Sequence, residues 1–531
     1  RGHKYGTFPS VGARWNISDE KFMEKTRKVI SMLAFRPTWG ITGNTGSAGG
    51  NQYNKYYAAG YYNGHTVVAP ANLSLPELRW EKTKQWNLGF NLGLLDDLLT
   101  FEFEVYNKKT TDLLMGGSLG KQRISSANGF SVLDWVNAGV MRNKGWELNG
   151  STAKFAKAGK FSMKLRGNVS QNFNEVVEMD PLLLEEINGS ITWNPENFTY
   201  QKRVQIHNAL GSIYGLKSKG VYRYDYNHNG YDNATFKAYG YAESVPYTGA
   251  DGRIAYRNAT TADEAAAMGD GWHYSYDASN DKWYKDFTIN TAAAAARRGE
   301  NASCPLAYDA QGNLLTDAKG NPLPMYYCYS EGSRYQFQGG DAIYEDVNHD
   351  GSIDRYDVVY LGNSNPKLYG GFGINLYYGR FELNASFNFR MGSQILNLAK
   401  SRYESMQAIT NQSYATTWRW RKNGDETDIP RALTGVNNFK SYNSLVSDRY
   451  VEDGNYLRLQ YIQLKYNFDP AKLKKIGMRT CYLSATINNV FCWTKYTGVD
   501  PEVSVGGFGI AVDESKTPRA RSFTCTLNVG F

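Results

Sequence analysis

The sequence predicts an all-β protein: about a dozen strands of a large antiparallel transmembrane β-barrel with long extracellular loops. Three observations predict it. Segments of about 9–11 residues alternate apolar and polar side chains, the length and period of a strand that crosses a bilayer. Aromatics reach 14% of the 531 residues while mean hydropathy is only −0.54, as expected where a polar lumen dilutes an apolar band bounded by aromatic girdles. No run approaches about 18 consecutive apolar residues, which excludes a transmembrane helix but not a crossing by strands. Composition alone equally suits a secreted β-rich sugar-binding protein, so the alternation has to decide.

Segments 11–17 and 29–42 read as strands. Trp86, Leu88, Phe90 and Leu92 then alternate with Asn87, Gly89 and Asn91. After Leu94-Leu95-Asp96-Asp97 the chain returns through Phe101, Phe103 and Val105, and the paired carboxylates there read as a solvated turn. Residues 145–150 run out, and Phe161, Met163, Leu165, Gly167 and Val169 run back. In the segment 379–390, Phe381, Leu383, Ala385, Phe387 and Phe389 face one way, while Arg380, Glu382, Asn384, Ser386, Asn388 and Arg390 face the other. Turning that charged row toward lipid would cost on the order of 2–4 kcal/mol for an arginine or lysine at midplane, so the membrane fixes the register. Phe372, Ile374, Leu376 and Tyr378 precede it, joined by Tyr378-Gly379-Arg380 in a tight hairpin. Leu457, Leu459 and Tyr461 change parity to Ile462, Leu464, Tyr466 and Phe468, which predicts a bulge near Tyr461. Strands at 480–494 and 521–531 follow; in the last, Phe523, Cys525, Leu527, Val529 and Phe531 share a face. Long loops are expected on one side only. The longest, 180–365, is rich in Gly, Asn, Asp and Tyr, with Ala265–Ala267 and Ala292–Ala296 as candidate short helices. A loop this long is unusual unless functional.

The formal net charge is +8, but Lys and Arg are scattered and form no basic run, which speaks against a nucleic-acid partner. Five cysteines are too few for a disulfide scaffold. Cys304 and Cys328 lie in loop and could pair in an oxidising compartment. Cys481, Cys492 and Cys525 read as small buried or lipid-facing strand residues.

Several motifs resemble the TonB-dependent outer-membrane transporters of the SusC/RagA type from Bacteroidetes. They are Phe8-Pro-Ser-Val-Gly-Ala-Arg-Trp15 with Ile17-Ser-Asp-Glu20, then Arg36-Pro-Thr-Trp-Gly-Ile-Thr-Gly-Asn44, Tyr106-Asn-Lys-Lys-Thr-Thr-Asp-Leu-Leu114 and Asn137-Ala-Gly-Val-Met-Arg-Asn-Lys-Gly-Trp-Glu147. Asp428-Ile-Pro-Arg431, Ser447–Arg458 and Asn488–Glu502 continue them in family order. The resemblance covers nearly the whole chain, 1–531. It implies the C-terminal portion of a barrel of about 22 strands in outer-membrane lipid, with the plug, the TonB-interacting segment and the first half of the barrel lying elsewhere. It further implies a SusD-like surface lipoprotein as lid, the TonB complex as the source of energy, and an oligosaccharide as substrate, or a peptide in some members. Phe531 is expected to mark the protein's true end.

One constellation carries chemistry. Asp346, Asn348, Asp350, Gly351, Ser352 and Asp357 take positions 1, 3, 5, 6, 7 and 12 of an EF-hand-type loop at 346–357. All-oxygen ligands favour Ca²⁺, against which stands an Asx-turn that needs no metal. The echo at 225–230 has no acid at its twelfth position and reads as a turn. Six dispersed histidines, without HExxH, GxSxG, P-loop or CxxC patterns, give no support to an enzyme, and no catalytic residue is assigned. Trp272, Trp283, Trp418 and Trp420 could stack on sugar rings or serve as girdle and loop core. A secreted glycan-binding protein and a passive porin remain as alternative classes.

Overall fold

The computed structural model describes residues 5–44, 57–70, 78–116, 135–181, 183–184, 188, 204–223, 245–248, 254–257, 272–277, 282–287, 305–330, 333–407, 410–421, 425–433, 442–503, 505, 509–515 and 517–531. Its main element is one antiparallel sheet in which spatial order follows sequence order. The path runs β1 (Ser10–Gly12), β2 (Ile30–Asn44), β3 (Glu81–Leu94), β4 (Leu99–Thr111), β5 (Gly139–Thr152) and β6 (Phe161–Met179). It continues through β7 (Leu368–Tyr378), β8 (Phe381–Met391), β9 (Tyr456–Asn467), β10 (Thr480–Thr494) and β11 (Ser522–Gly530). Two short strands, Trp15–Asn16 and Phe155–Ala158, pair at its margins, giving 13 strands in all. The expected segment 11–17 is thus split between two short strands. The sheet is an open arc with β1 and β11 at its edges.

Register turns the alternation of single strands into two continuous faces. Leu165, Ile374, Ala385, Ile462, Ile487 and Phe523 are successive cross-strand partners from β6 to β11. One residue along, Lys164, Asn375, Asn384, Gln463, Thr486 and Thr524 are partners on the opposite face. There the amides form a ladder: Asn375 Nδ2 donates to Asn384 Oδ1 (2.6 Å), Asn384 Nδ2 to Gln463 Oε1 (3.2 Å) and Gln463 Nε2 to Thr486 Oγ1 (3.0 Å). Ion pairs stand on this polar face, as in Arg36 with Glu102 and Glu104, and Lys465 with Glu382. The apolar face is uncovered, with Phe523 74% and Leu527 63% exposed. A wall with one bare apolar face and one hydrogen-bonded polar face is a lipid-facing barrel wall seen from its two sides.

The turns obey the expected asymmetry. On one side the connections are short: residues 95–98, 153–160, 379–380 and 468–479. Gly379 has φ +57°, the left-handed conformation its two-residue hairpin needs, and Leu95, Asp96 and Asp97 all lie in the same region. On the other side lie 45–80, 112–138, 180–367, 392–455 and 495–521. The bulge falls at Gln460, which the ladder skips between Leu459 and Tyr461. It stands opposite Asn489 and Val490, with Asn489 at φ +53°. By absorbing the parity change, it keeps Leu459 and Ile462 on the lipid face.

The protein's packed core is not in the wall. Its largest fully buried side chains, Tyr214, Tyr327, Tyr450 and Phe337 among them, all come from the long connections. The described part of the 180–365 region does not stand alone, because Ile213, Tyr327 and Tyr344 pack in one cluster with Leu396, Tyr442, Val446 and Ile510 from the next two long loops. Small sheets tie these segments: 212–215 with 359–363, 218–221 with 342–344, and 394–397 with both 451–453 and 512–513. Three loops thus fold into one unit over the long-loop end of the wall. The two Ala-rich stretches, the 225–230 turn and Cys304 lie outside the described residues.

Candidate functional site at the barrel mouth

Where the loop unit meets the wall, charged side chains that the sequence alone left unassigned become the joints. Arg458 sits on the polar face of β9 beside the bulge and is only 2% exposed. Its Nη2 lies 2.5 Å from Asp500 Oδ1, its Nη1 donates to Asn489 Oδ1 (2.5 Å), and its Nε stands 3.2 Å from Glu502 Oε2. Glu502 is also 3.2 Å from Arg519. A little higher, Glu452 accepts from Thr497 N (2.9 Å), Thr497 Oγ1 (2.7 Å) and Lys400 Nζ (3.2 Å), joining the loops 392–455 and 495–521. Inside the unit, Arg431 Nε donates to buried Asp341 Oδ1 (2.7 Å), while its Nη2 reaches Gln338 Oε1 (2.7 Å) and Tyr335 Oη (2.9 Å). The segments 428–431, 447–458 and 488–502 therefore mark the places where distant loops lock together. The segments 106–114 and 137–147 are joined likewise. Tyr106 Oη donates to Asn172 Oδ1 (3.0 Å), Asn137 Nδ2 donates to Asp112 O (2.8 Å), and a Cβ on Gly145 would lie 2.6 Å from Tyr106 Oη and 2.2 Å from Gln171 O.

The 346–357 loop has the tight turn its sequence predicts. Gly351 has φ +82°, and a Cβ there would lie 2.9 Å from Ala307 Cβ. Asp346 accepts from Gly351 N (2.8 Å), Asn348 Nδ2 donates to Asp350 Oδ2 (2.9 Å), and Asp350 Oδ1 accepts from Ser352 N (2.8 Å). Asp357 is fully buried and accepts from Val347 N (2.8 Å) and Asp354 N (2.7 Å). Burial, reinforced by the charges of Asp346 and Asp354, pushes its carboxyl up to about 6. Burial and the Asp350 charge also raise Asp346. Both oxygens of Asp357 thus serve the loop's own backbone, and among the described residues no three His, Cys, Asp or Glu side chains are gathered as a closed metal cage. The oxygens of Asp346, Asn348 and Asp350 are the ones grouped at the turn. The loop forms one wall of a cleft of about 480 Å³ that is also lined by Lys217, Glu345, Tyr360 and Asp448.

The tryptophans separate into two kinds. Trp420 is buried; its Nε1 donates to Arg223 O (3.2 Å), and its ring lies over Gly340. It is loop core. Trp418, two residues earlier, is 68% exposed, with Tyr414 also exposed nearby in the same short helical stretch. Trp272 and Trp283 begin and follow the starts of two paired strands, 272–277 and 282–287, and their side chains lie outside the described residues. Of the strand cysteines, Cys525 lies on the lipid face opposite Ala485, and Cys492 lies on the lumen face opposite Arg458.

Comparison with known proteins places this arrangement. Residues 2–209 match the family model described as TonB dependent receptor-like, beta-barrel. The chain is similar to TonB-dependent receptor P39 of Formosa agariphila, 28% identical over 99% of this chain and 43% of that protein. TonB-dependent receptor SusC of Bacteroides thetaiotaomicron is 23% identical over 100% of this chain and 40% of its own length. The chain thus spans less than half the length of these curated relatives. In fold it is similar to the structure of the RagAB peptide transporter, with TM-score 0.60 and 17% identity over 99% of this chain and 44% of that one.

Proposed function

We propose that this chain, which belongs to the TonB-dependent receptor-like β-barrels of the SusC/RagA type, is the C-terminal wall and loop unit of an importer that takes up oligosaccharides. It is an outer-membrane β-barrel protein, and its long loops therefore face outward and its short turns the periplasm. The observation that carries the proposal is the folded loop unit, locked to the lumen wall through Arg458 and loop to loop through Glu452. A receptor needs a rigid surface on which substrate can be held beneath a lid, and the locked loop unit supplies one. In this reading a SusD-like lipoprotein closes over the loop unit. The remaining staves and the plug come from the part of such proteins that this chain does not span, and the TonB complex pulls on that plug. Bare edges at β1 and β11 would leave backbone groups unpaired in lipid, so those staves are required.

The exposed rings of Trp418 and Tyr414 support a sugar substrate, since ring faces stack on pyranose faces. The alternative is oligopeptide import, favoured by the likeness in fold to RagAB, a peptide transporter. Uptake of defined oligosaccharides and defined peptides by a strain lacking the full-length protein separates the two. Loss of oligosaccharide uptake alone is expected. Loss of peptide uptake with oligosaccharide uptake intact overturns the substrate class and leaves the importer.

The loop at 346–357 is proposed to hold Ca²⁺ through Asp346, Asn348, Asp350, Ser352 and Asp357, the ion relieving the mutual repulsion of desolvated carboxylates. Asp357 would have to release its backbone donors to contribute directly. Bound calcium would stiffen the wall of the adjoining cleft. Asp346→Ala with Asp350→Ala should remove about one calcium per protein and increase proteolysis within 346–357; unchanged metal content rules the ion out.

A further inference from the structure

The basic residues that look scattered in sequence meet on the outer face of the wall. Lys84 of β3 pairs directly with Lys109 of β4, and Lys109 with Arg142 of β5. Directly opposed side chains on one sheet face lie close enough to interact, and like charges so placed repel. Lys84 shares its face with lipid-facing Trp86 and Phe90, and its ammonium lies 5.9 Å from the centre of the Trp39 ring. Lys109 shares the face of Phe103, and Lys144 stands in the next row down, opposite Asn107. Among the described residues, two carboxylates of β6 share this face: Glu175, 3.8 Å from Arg142 and shared with His207 at 3.2 Å, and Glu178, the cross-strand partner of Val140. Among those same residues, Lys84, Lys109 and Lys144 make no ion pair.

Depth gives the row its meaning. From the short-turn end, Leu94, Leu92, Phe90, Leu88 and Trp86 line the lipid face of β3, a span of about nine residues that matches a bilayer-crossing strand. Trp86 and its partner Trp39 form the girdle at the long-loop end. Lys84, Lys109 and Arg142 come one row beyond it, at the headgroups of the outer leaflet. The lipid of that leaflet in a Gram-negative outer membrane is a phosphorylated glycolipid. Two lysines directly opposed and without an ion pair, with Arg142 beside them, set at headgroup depth above an aromatic girdle, are complementary to such a phosphate.

We propose that Lys84, Lys109 and Arg142 form a binding site for the phosphate of an outer-leaflet glycolipid, with the Trp39–Trp86 girdle against its acyl chains. The site is independent of what the barrel imports. It is tested on full-length protein purified from its own outer membrane, with retained lipid read by native mass spectrometry and with phosphorylated lipid A, dephosphorylated lipid A and inorganic phosphate as added probes. The phosphorylated lipid should be retained at least tenfold over the dephosphorylated one. Lys84→Gln with Lys109→Gln should abolish that preference, and Lys84→Arg with Lys109→Arg should keep it. Heat-modifiable gel mobility reports whether each variant has formed its barrel. If the Gln variant does not, the two lipids on wild-type and Arg variant still decide. Equal retention of both lipids, an unchanged preference in a folded Gln variant, or inorganic phosphate binding as tightly as the glycolipid would each overturn the site.

Discussion

Replacing Arg458 by alanine should release the loop 495–521 from the barrel wall. The guanidinium is almost fully buried, with Asp500 Oδ1 at 2.5 Å and Glu502 Oε2 at 3.2 Å. Its removal leaves the largely buried Asp500 carboxylate without its cation and leaves Glu502 only the exposed Arg519, and breaking a buried pair in this way costs about 3–5 kcal/mol. At 1.36 kcal/mol per decade, local opening should become roughly a hundred- to several-thousand-fold more frequent. Hydrogen exchange at the backbone amides of 495–503, measured on the full-length protein in detergent, reads that change directly. The exposed partner makes the internal control: Arg519→Ala also removes a cation from Glu502, but from a site 53% exposed, and should cost under about 1 kcal/mol. Restoring charge balance by adding Asp500→Asn and Glu502→Gln to Arg458→Ala should recover most of the lost protection. If Arg458→Ala loosens 495–503 no more than Arg519→Ala does, Arg458 is not the joint between loop and wall.

Other positions make sharper contrasts. Gly145→Ala puts a methyl carbon 2.2 Å from the Gln171 carbonyl and 2.6 Å from the Tyr106 hydroxyl, so a loss of at least about 1–3 kcal/mol is expected in urea unfolding of the assembled barrel. Tyr106→Phe should rescue it only in part, because the backbone clash remains. On β8, Ala385→Arg points to lipid and should cost about 2–4 kcal/mol, whereas Asn384→Arg points to the lumen and should be tolerated. Equal effects would refute the assigned faces. Trp420→Ala should destabilise the loop unit by about 3–5 kcal/mol, whereas Trp418→Ala should leave stability unchanged and weaken oligosaccharide binding.

The wall was legible because a membrane punishes every residue on the wrong face. That constraint makes 372–378, 381–389, 480–494 and 521–531 readable one strand at a time, and it makes the parity change at Gln460 stand out as a bulge. The loop unit follows no such rule. Tyr327 packs on Tyr442 and Asp341 holds Arg431, contacts whose partners are some ninety to more than a hundred positions apart, with nothing periodic to announce them. Trp418 and Trp420 show the same limit, since two residues of one type in one short segment are divided between solvent and core by a neighbour, Gly340, far away in the chain.

Register is the quantity that separates what could be read from what could not. Alternation tells which face Lys84, Lys109 and Arg142 occupy, but only the pairing of β3 with β4 and of β4 with β5 tells that they stand side by side. A slip of two residues on β4 would leave every side chain on its proper face, yet it would set Lys109 opposite Lys82 or Trp86 and dissolve the row. The membrane is indifferent to such a slip, because it reads faces and not neighbours. What resists it must be the specific contacts along each strand pair, such as Thr83 with Thr110 at 2.9 Å and Gly145 fitted beneath Tyr106. Those contacts fix the sites as well as the sheet, so a glycine substitution that shifts β5 against β4 should scatter the cation row without touching any cation.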